Sequence, residues 1–256
     1  ADAQAALLAG YGVTESTVGA PVRATMDTIL VTELDDGTGI HMDRFAHEAD
    51  GVVLINRVKP HTSFRGPVES GVIKMMIIGM GKINGATAIH GGHPMENFGE
   101  VLPRAAGALM EHIPFLFGVG MVEDAHDDTA IVEAMPAETL FAREPVLQSR
   151  AKELMARIFI DDIDVLVIDE IGKEISGAGC DPNVTGHRNS PGFELPRVKK
   201  MVILDVTDAT KGNATGIGSA DVITHRLLGR VDFAATYANT VTSTYLEGAR
   251  IPIPMK

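Results

Sequence analysis

Two near-continuous apolar runs of strand length, GVVLINRV at residues 51–58 and DVLVIDEI at residues 164–171, constrain this chain more than any other feature. A short run without polar alternation suits a strand covered on both faces, as in a parallel sheet flanked by helices. Strands alternate with helical spacing along the whole chain, which predicts an α/β fold with a mostly parallel sheet in each half. A chain of 256 residues with 45% hydrophobic content can bury the core of one large or two medium domains. The second run opens just after a helical segment, so a boundary near Ile158 separates an N-terminal domain, residues 1–157, from a second α/β domain, residues 158–256.

The remaining elements follow from spacing and punctuation. Residues 3–9 are alanine-rich and stop at Gly10 and Gly12, where helices tend to end. Residues 25–34 suit a strand, and residues 43–49 a short helix with Asp43 as N-cap. A loop containing His61 precedes helical spacing at residues 70–78. Residues 97–112 predict an amphipathic helix, apolar at Phe98, Val101, Leu102, Ala105 and Leu109. Strands are expected at residues 115–122, 129–134 and 200–206, and helices at residues 139–157, interrupted by Pro145, and at residues 220–228.

Charge and cysteine usage exclude several classes. A formal net charge of -12 without a cluster of Lys and Arg argues against a nucleic-acid footprint. The single Cys180 excludes an internal disulfide or a cysteine-rich cluster in this chain and suits a reducing cytoplasm. No apolar run approaches the roughly 18 residues of a membrane-spanning helix, and no secretory leader pattern opens the chain. Packing faces and association faces look alike at this level, which leaves homo-oligomerisation open.

The chemistry concentrates in residues 56–94, NRVKPHTSFRGPVESGVIKMMIIGMGKINGATAIHGGHP. His61 follows the first buried strand by a few residues, where open α/β sheets place their ligands. It is either a functional imidazole or a loop histidine bonded to its neighbours. Arg57, Lys59 and Arg65 around it would keep the ring neutral. Lys74 is a lone ammonium in SGVIKMMIIGM; it either reaches back to water or is desolvated into a nucleophile. His90 and His93, with Glu96 behind them, could share one metal ion, or His93 could cap a helix. The GMGK string at residues 79–82 lacks the spacing and the following hydroxyl of a phosphate loop. In the second half, Lys173, Asp181, Asn183 and Arg188 lie on a loop that could face a cleft, although Asp-Pro-Asn is also ordinary turn chemistry. Cys180 suits packing, and His41, His47, His112, His126, His187 and His225 show no partner pattern.

With these motifs in view, RVKPHTSFRGPVESGVIKMMIIGMGK followed by INGATAIHGGHP resembles the nickel-dependent lactate racemase family, in particular its uncharacterised paralogous branch. The resemblance extends through YGVTESTVGAPV and DEIGKEISGAGCDPNVTGHR, and so covers most of the chain. It implies a two-domain α/β protein with the active site in the interdomain cleft. It also implies a racemase or epimerase of a small 2-hydroxy acid, working by hydride transfer to and from a lysine-tethered nickel pincer nucleotide.

Position by position, the resemblance implies Lys74 as the covalent anchor, His90 as the nickel ligand and His61 as the acid and base on the substrate hydroxyl. His93 is the less favoured metal position. Gly66 and Ser70 would line the cofactor, and Arg57, Lys173, Asp181 and Asn183 the substrate. The cofactor is expected to be missing from protein made without its biosynthetic enzymes. Where the racemase has a shorter, glycine-rich loop, this chain carries FRGPVESGVI between His61 and Lys74. Family members usually continue on both sides, which implies an internal piece of a longer polypeptide. The alternatives are a divalent-metal hydrolase or lyase at His90 and His93, or a non-catalytic small-ligand-binding paralogue.

Overall fold

The computed structural model describes residues 2–186, 192–243 and 250–256. The chain is α/β and divides into two compact units, Ala1–Met155 and Ala156–Lys256. His187 and Arg188 lie outside the described residues.

The first unit begins with α1 (Asp2–Gly10) and α2 (Glu15–Val18), followed by an antiparallel hairpin of β1 (Thr28–Glu33) and β2 (Gly39–Asp43). The hairpin's second strand was not legible in the sequence. It runs directly into α3 (Arg44–His47), capped as expected by Asp43, whose Oδ1 accepts from the Ala46 N–H at 3.2 Å. The first apolar run forms β3 (Val52–Arg57), parallel to β4 (Phe115–Glu123), which pairs antiparallel with β5 (Thr129–Pro136). Parallel pairing thus holds for the crossover pair, while the few residues joining β4 to β5 permit only a hairpin.

Between β3 and β4 the chain forms α4 (Val72–Lys74), one π-helical turn (Met75–Gly79), α5 (Met80–Gly92) and α6 (Phe98–Met110). α7 (Leu140–Leu154) follows β5. Pro145 does not interrupt α7, because Leu140 on one side and Leu147 and Ala151 on the other are buried and hold the helix through the missing N–H. By length and composition alone the helical stretch Val72–Gly92 would suffice to cross a membrane. Here it is bent at Lys82 and buries Ile73, Met76, Ile77 and Ile89 in the first unit's core.

β3 departs from expectation in its environment. Val52 and Leu54 are buried, but Val53 is 41% and Ile55 63% exposed. Helices cover the inner face: Gly118 leaves room for Val72, and Gly120 for Leu147, since a Cβ at these glycines would lie 2.6 and 2.7 Å from those side chains. An apolar run reveals a strand but not how many layers flank it.

The second unit is a parallel sheet in the order β6 (Asp162–Ile171), β7 (Arg197–Val206), β8 (Val222–Thr224) and β9 (Ile253–Met255). α8 (Pro182–Thr185), α9 (His225–Arg230) and α10 (Phe233–Ser243) complete it. Val165 and Val167 of β6 are 56% and 53% exposed, so this run too is covered on one face only. The helix expected at residues 220–228 is half strand. β-branched Val222 and Ile223 pair with Val202 and Ile203, and Thr224 then starts α9 by accepting the Leu227 N–H at 3.0 Å.

The loops leaving β6 and β7 interlock through two glycines of positive φ, Gly179 and Gly216. Gly216 has φ 105°, and a Cβ there would lie 2.1 Å from the Ala178 carbonyl oxygen. Gly216→Ala is therefore expected to destabilise the protein by more than about 2 kcal/mol, from backbone strain added to a backbone clash. Chemical denaturation would check this; an unchanged midpoint would show that the loops do not depend on that approach.

Candidate active site

The segment from His61 to His90 is anchored from below by α7. Glu144, buried in that helix, accepts the Ile73 N–H at 3.0 Å and so holds the first turn of α4. Gly71 makes this approach possible, since a Cβ there would lie 2.6 Å from Glu144 Oε1. Burial raises the Glu144 carboxyl to about 7, against the opposing pull of the Ile73 and Val72 N–H groups.

Two turns further along α7, Lys152 reaches Glu69, a carboxylate with no exposed surface. Glu69 Oε1 lies 2.5 Å from Lys152 Nζ, and Oε2 lies 3.5 Å from Arg65. The same carboxylate accepts the backbone N–H of His61 at 2.8 Å and of Gly66 at 3.2 Å. The loop is thus wrapped around one buried anion, which the segment FRGPVESGVI supplies.

His61 is held tightly. The Ser63 N–H donates to its Nδ1 at 3.1 Å, which places the proton of the neutral ring on Nε2. Its ring lies 4.3 Å from that of Phe64. Burial, followed by the charges of Lys74, His90, Lys59 and Arg65, lowers its pKa to about 2. The neutral state expected from the sequence is present, with burial as the larger cause. Arg57 takes no part; it pairs with Glu123 across the sheet at 2.8 Å.

Lys74 ends α4, immediately before the π-helical turn, a departure frequent at functional positions. Its pKa is lowered to about 8 by burial and by Lys59. Among the described residues no hydrogen bond or ion pair holds its ammonium. His90 lies on α5, its ring 4.9 Å from Phe98 in an edge-on contact, and its pKa is lowered by burial and by Lys74. Phe98 meets Phe64 at 5.7 Å, so a chain of rings joins His90 to His61. His61, Lys74 and His90 therefore converge.

The other sequence-predicted positions do different work. His93 ends α5 in extended conformation and turns to the hairpin, with Nε2 2.9 Å from Thr38 Oγ1. It lines a cavity of about 440 Å³ with Asp36, Thr38 and the neighbouring glycines. His90 and His93 are thus engaged separately, Glu96 is exposed, and among the described residues no cluster of three or more His, Cys, Asp or Glu could hold a metal. This opposes the shared-ion expectation. Gly66 serves packing, since a Cβ there would lie 2.8 Å from the Gly99 Cα. Ser70 bridges its carbonyl to the Lys59 N–H at 2.8 Å. In the second unit Lys173 Nζ donates to the Gly177 carbonyl at 2.6 Å. Asp181 caps α8 through the Asn183 N–H at 2.8 Å, and the Asn183 amide bonds the same oxygen. For these three the turn chemistry accounts for the placement.

Sequence reasoning missed Glu69, Glu144 and Lys152. A signal existed for the last two. Glu144, Gln148 and Lys152 repeat every fourth residue, and Glu144 and Gln148 fall in phase with buried Leu147 and Ala151. A buried carboxylate on that face calls for a polar partner across it, which Glu144 finds in the Ile73 N–H, whereas the Gln148 amide has none among the described residues.

No protein-family model matches the chain, and no curated protein matches it. Among solved structures, the lactate racemase apoprotein from Thermoanaerobacterium thermosaccharolyticum is similar over 79% of this chain, with 15% identity and a TM-score of 0.42. The chain spans 43% of that protein's length.

Two outcomes are expected. Glu69→Ala leaves Lys152, Arg65 and the loop N–H groups without their anion and should cost about 3 kcal/mol, the lower end for breaking a buried pair because its cations are partly exposed; urea denaturation measures it. Glu144 binds its proton more tightly folded than unfolded, so its contribution is full below its ordinary value of 4.5 and is lost as pH rises through about 7. Wild-type stability should fall over that window by up to about 3 kcal/mol relative to Glu144→Gln. Parallel pH profiles of the two proteins would contradict the assignment.

Proposed function

We propose that the first unit carries a covalently tethered nickel pincer nucleotide on Lys74 and uses it to racemise or epimerise a small 2-hydroxy acid. The observation that supports this most is Lys74 itself: an amine without a partner among the described residues, lowered to about 8, and near enough to His61 and His90 for its charge to lower both. The residues suit the group. An amine near 8 is partly unprotonated at neutral pH and can attack a carbonyl-type carbon. A neutral imidazole at His90 can donate a lone pair to nickel, which an imidazolium cannot. Lys59 and Arg65 provide positive charge suited to an anionic nucleotide and a carboxylate substrate.

When bound, the cofactor supplies the hydride acceptor, and the protein supplies orientation and proton handling. In the present arrangement the neutral His61 ring carries its proton on Nε2. Accepting a hydroxyl proton at that nitrogen requires the other tautomer and the loss of the Ser63 bond. Attachment at Lys74 would remove an ammonium that depresses His61 and so raise the basicity of the ring, while the Ser63 N–H still governs the tautomer. Tethering therefore makes His61 a better base.

The decisive experiment is mass spectrometry of protein produced with the cofactor-synthesis enzymes, paired with racemisation assays over a panel of 2-hydroxy acids. An adduct on the peptide containing Lys74, absent in Lys74→Ala, is the expected result. An unmodified lysine under those conditions would sink the proposal, and ligand binding that survives loss of both His61 and Lys74 would point to a non-catalytic binder. Independently, an amine-specific reagent should label Lys74 half-maximally near pH 8, and Lys74→Met should raise the His61 pKa in proton-detected titrations. A His61 ring indifferent to that substitution would separate the two residues.

A further inference from the structure

Lys74 and His90 lie on what looks like one helical stretch, yet the backbone breaks between them. At Lys82 it turns to φ 52°, ψ −147°, a region that non-glycine residues rarely enter. The two sides of the break are docked on different parts of the first unit. Upstream, Val72 packs into the space left by Gly118 of β4, and the Ile73 N–H donates to Glu144 of α7. Downstream, Asn84 Nδ2 donates to Thr28 Oγ1 of β1 at 2.7 Å, and His93 meets Thr38 at 2.9 Å. Gly85 also lies close to β2, where a Cβ would stand 3.8 Å from the His41 Cβ. The lysine end therefore belongs to the β3–β5 sheet and the histidine end to the hairpin.

One ion pair sits at the joint. Lys82 Nζ lies 3.3 Å from Asp43 Oδ2, with side chains only 14% and 12% exposed. Asp43 ends β2 and is itself held by capping α3 through the Ala46 N–H. A strained backbone persists where its surroundings over-determine it. Here the largely buried pair ties the bent residue to a rigid strand end.

We propose that Lys82 is a positioning residue: its bent backbone, held by Asp43, sets the angle of α5 and thereby brings His90 onto Phe98 and into the site of Lys74. A straight helix through residue 82 would carry His90 elsewhere. The roles of Lys74 and His90 rest on the proposed function, whereas this inference concerns only where His90 sits, so a missing cofactor adduct would sink the former and leave the latter standing.

The test is the nuclear Overhauser contact between the His90 and Phe98 rings in metal-free protein. Lys82→Gly and Lys82→Ala both remove the ammonium, but only glycine accepts the bend without steric cost. The contact should persist in Lys82→Gly and Lys82→Arg and be lost in Lys82→Ala. Asp43→Asn, which keeps the α3 cap but discharges the pair, should weaken it, and this variant decides the matter if Lys82→Ala does not fold. A contact retained in both Lys82→Ala and Asp43→Asn would overturn the proposal. Equal loss in the glycine and alanine variants would also overturn it, by showing that the charge rather than the bend places His90.

Discussion

The candidate site depends on one buried carboxylate. Glu69 has no exposed surface, and an uncompensated anion in that position would be costly. Two cations and two backbone N–H groups surround it, and each comes from a piece that must be placed: Lys152 from α7, Arg65 and Gly66 from the loop, and the His61 N–H from the segment leaving β3. Satisfying that charge pins the His61 loop to α7. A second carboxylate on the same helix, Glu144, pins the start of α4 and with it Lys74.

The electrostatics above these anchors run the opposite way. Lys59, Arg65, Lys74 and His90 crowd His61, and each positive neighbour makes further protonation harder. The arrangement keeps both imidazoles neutral and weakens the hold of Lys74 on its proton. Buried negative charge beneath positions the loop, and positive charge above it tunes reactivity. Because the groups share one environment, a change at Lys74 is felt at both histidines.

Much of the framework was legible. The two apolar runs are strands, the apolar positions of α6 are the buried ones, and Asp43 caps α3. Each rests on a local rule of periodicity or hydrogen bonding that neighbours in sequence satisfy. Less visible were the one-sided burial of β3 and β6, the hairpin strand β2, and the strand at Val222–Thr224. A strand of three residues has too little pattern of its own and is specified by the partner that pairs with it.

By itself, the sequence determined the α/β alternation and placed a histidine, a lysine and a second histidine on one short segment, since residue type and spacing are local properties. Tertiary structure alone decided which of those side chains meet. It brought His90 to Phe98 and sent His93 to Thr38, three residues later, because α5 ends between them and the chain turns to extended backbone. It also recruited Glu69, Glu144 and Lys152, whose roles exist only across contacts between α7 and the loop and start of α4, roughly 70 to 80 residues away in the chain. Burial and charge proximity are properties of that assembly, and so the state of His61 and Lys74 could be expected from the sequence but was settled by the fold.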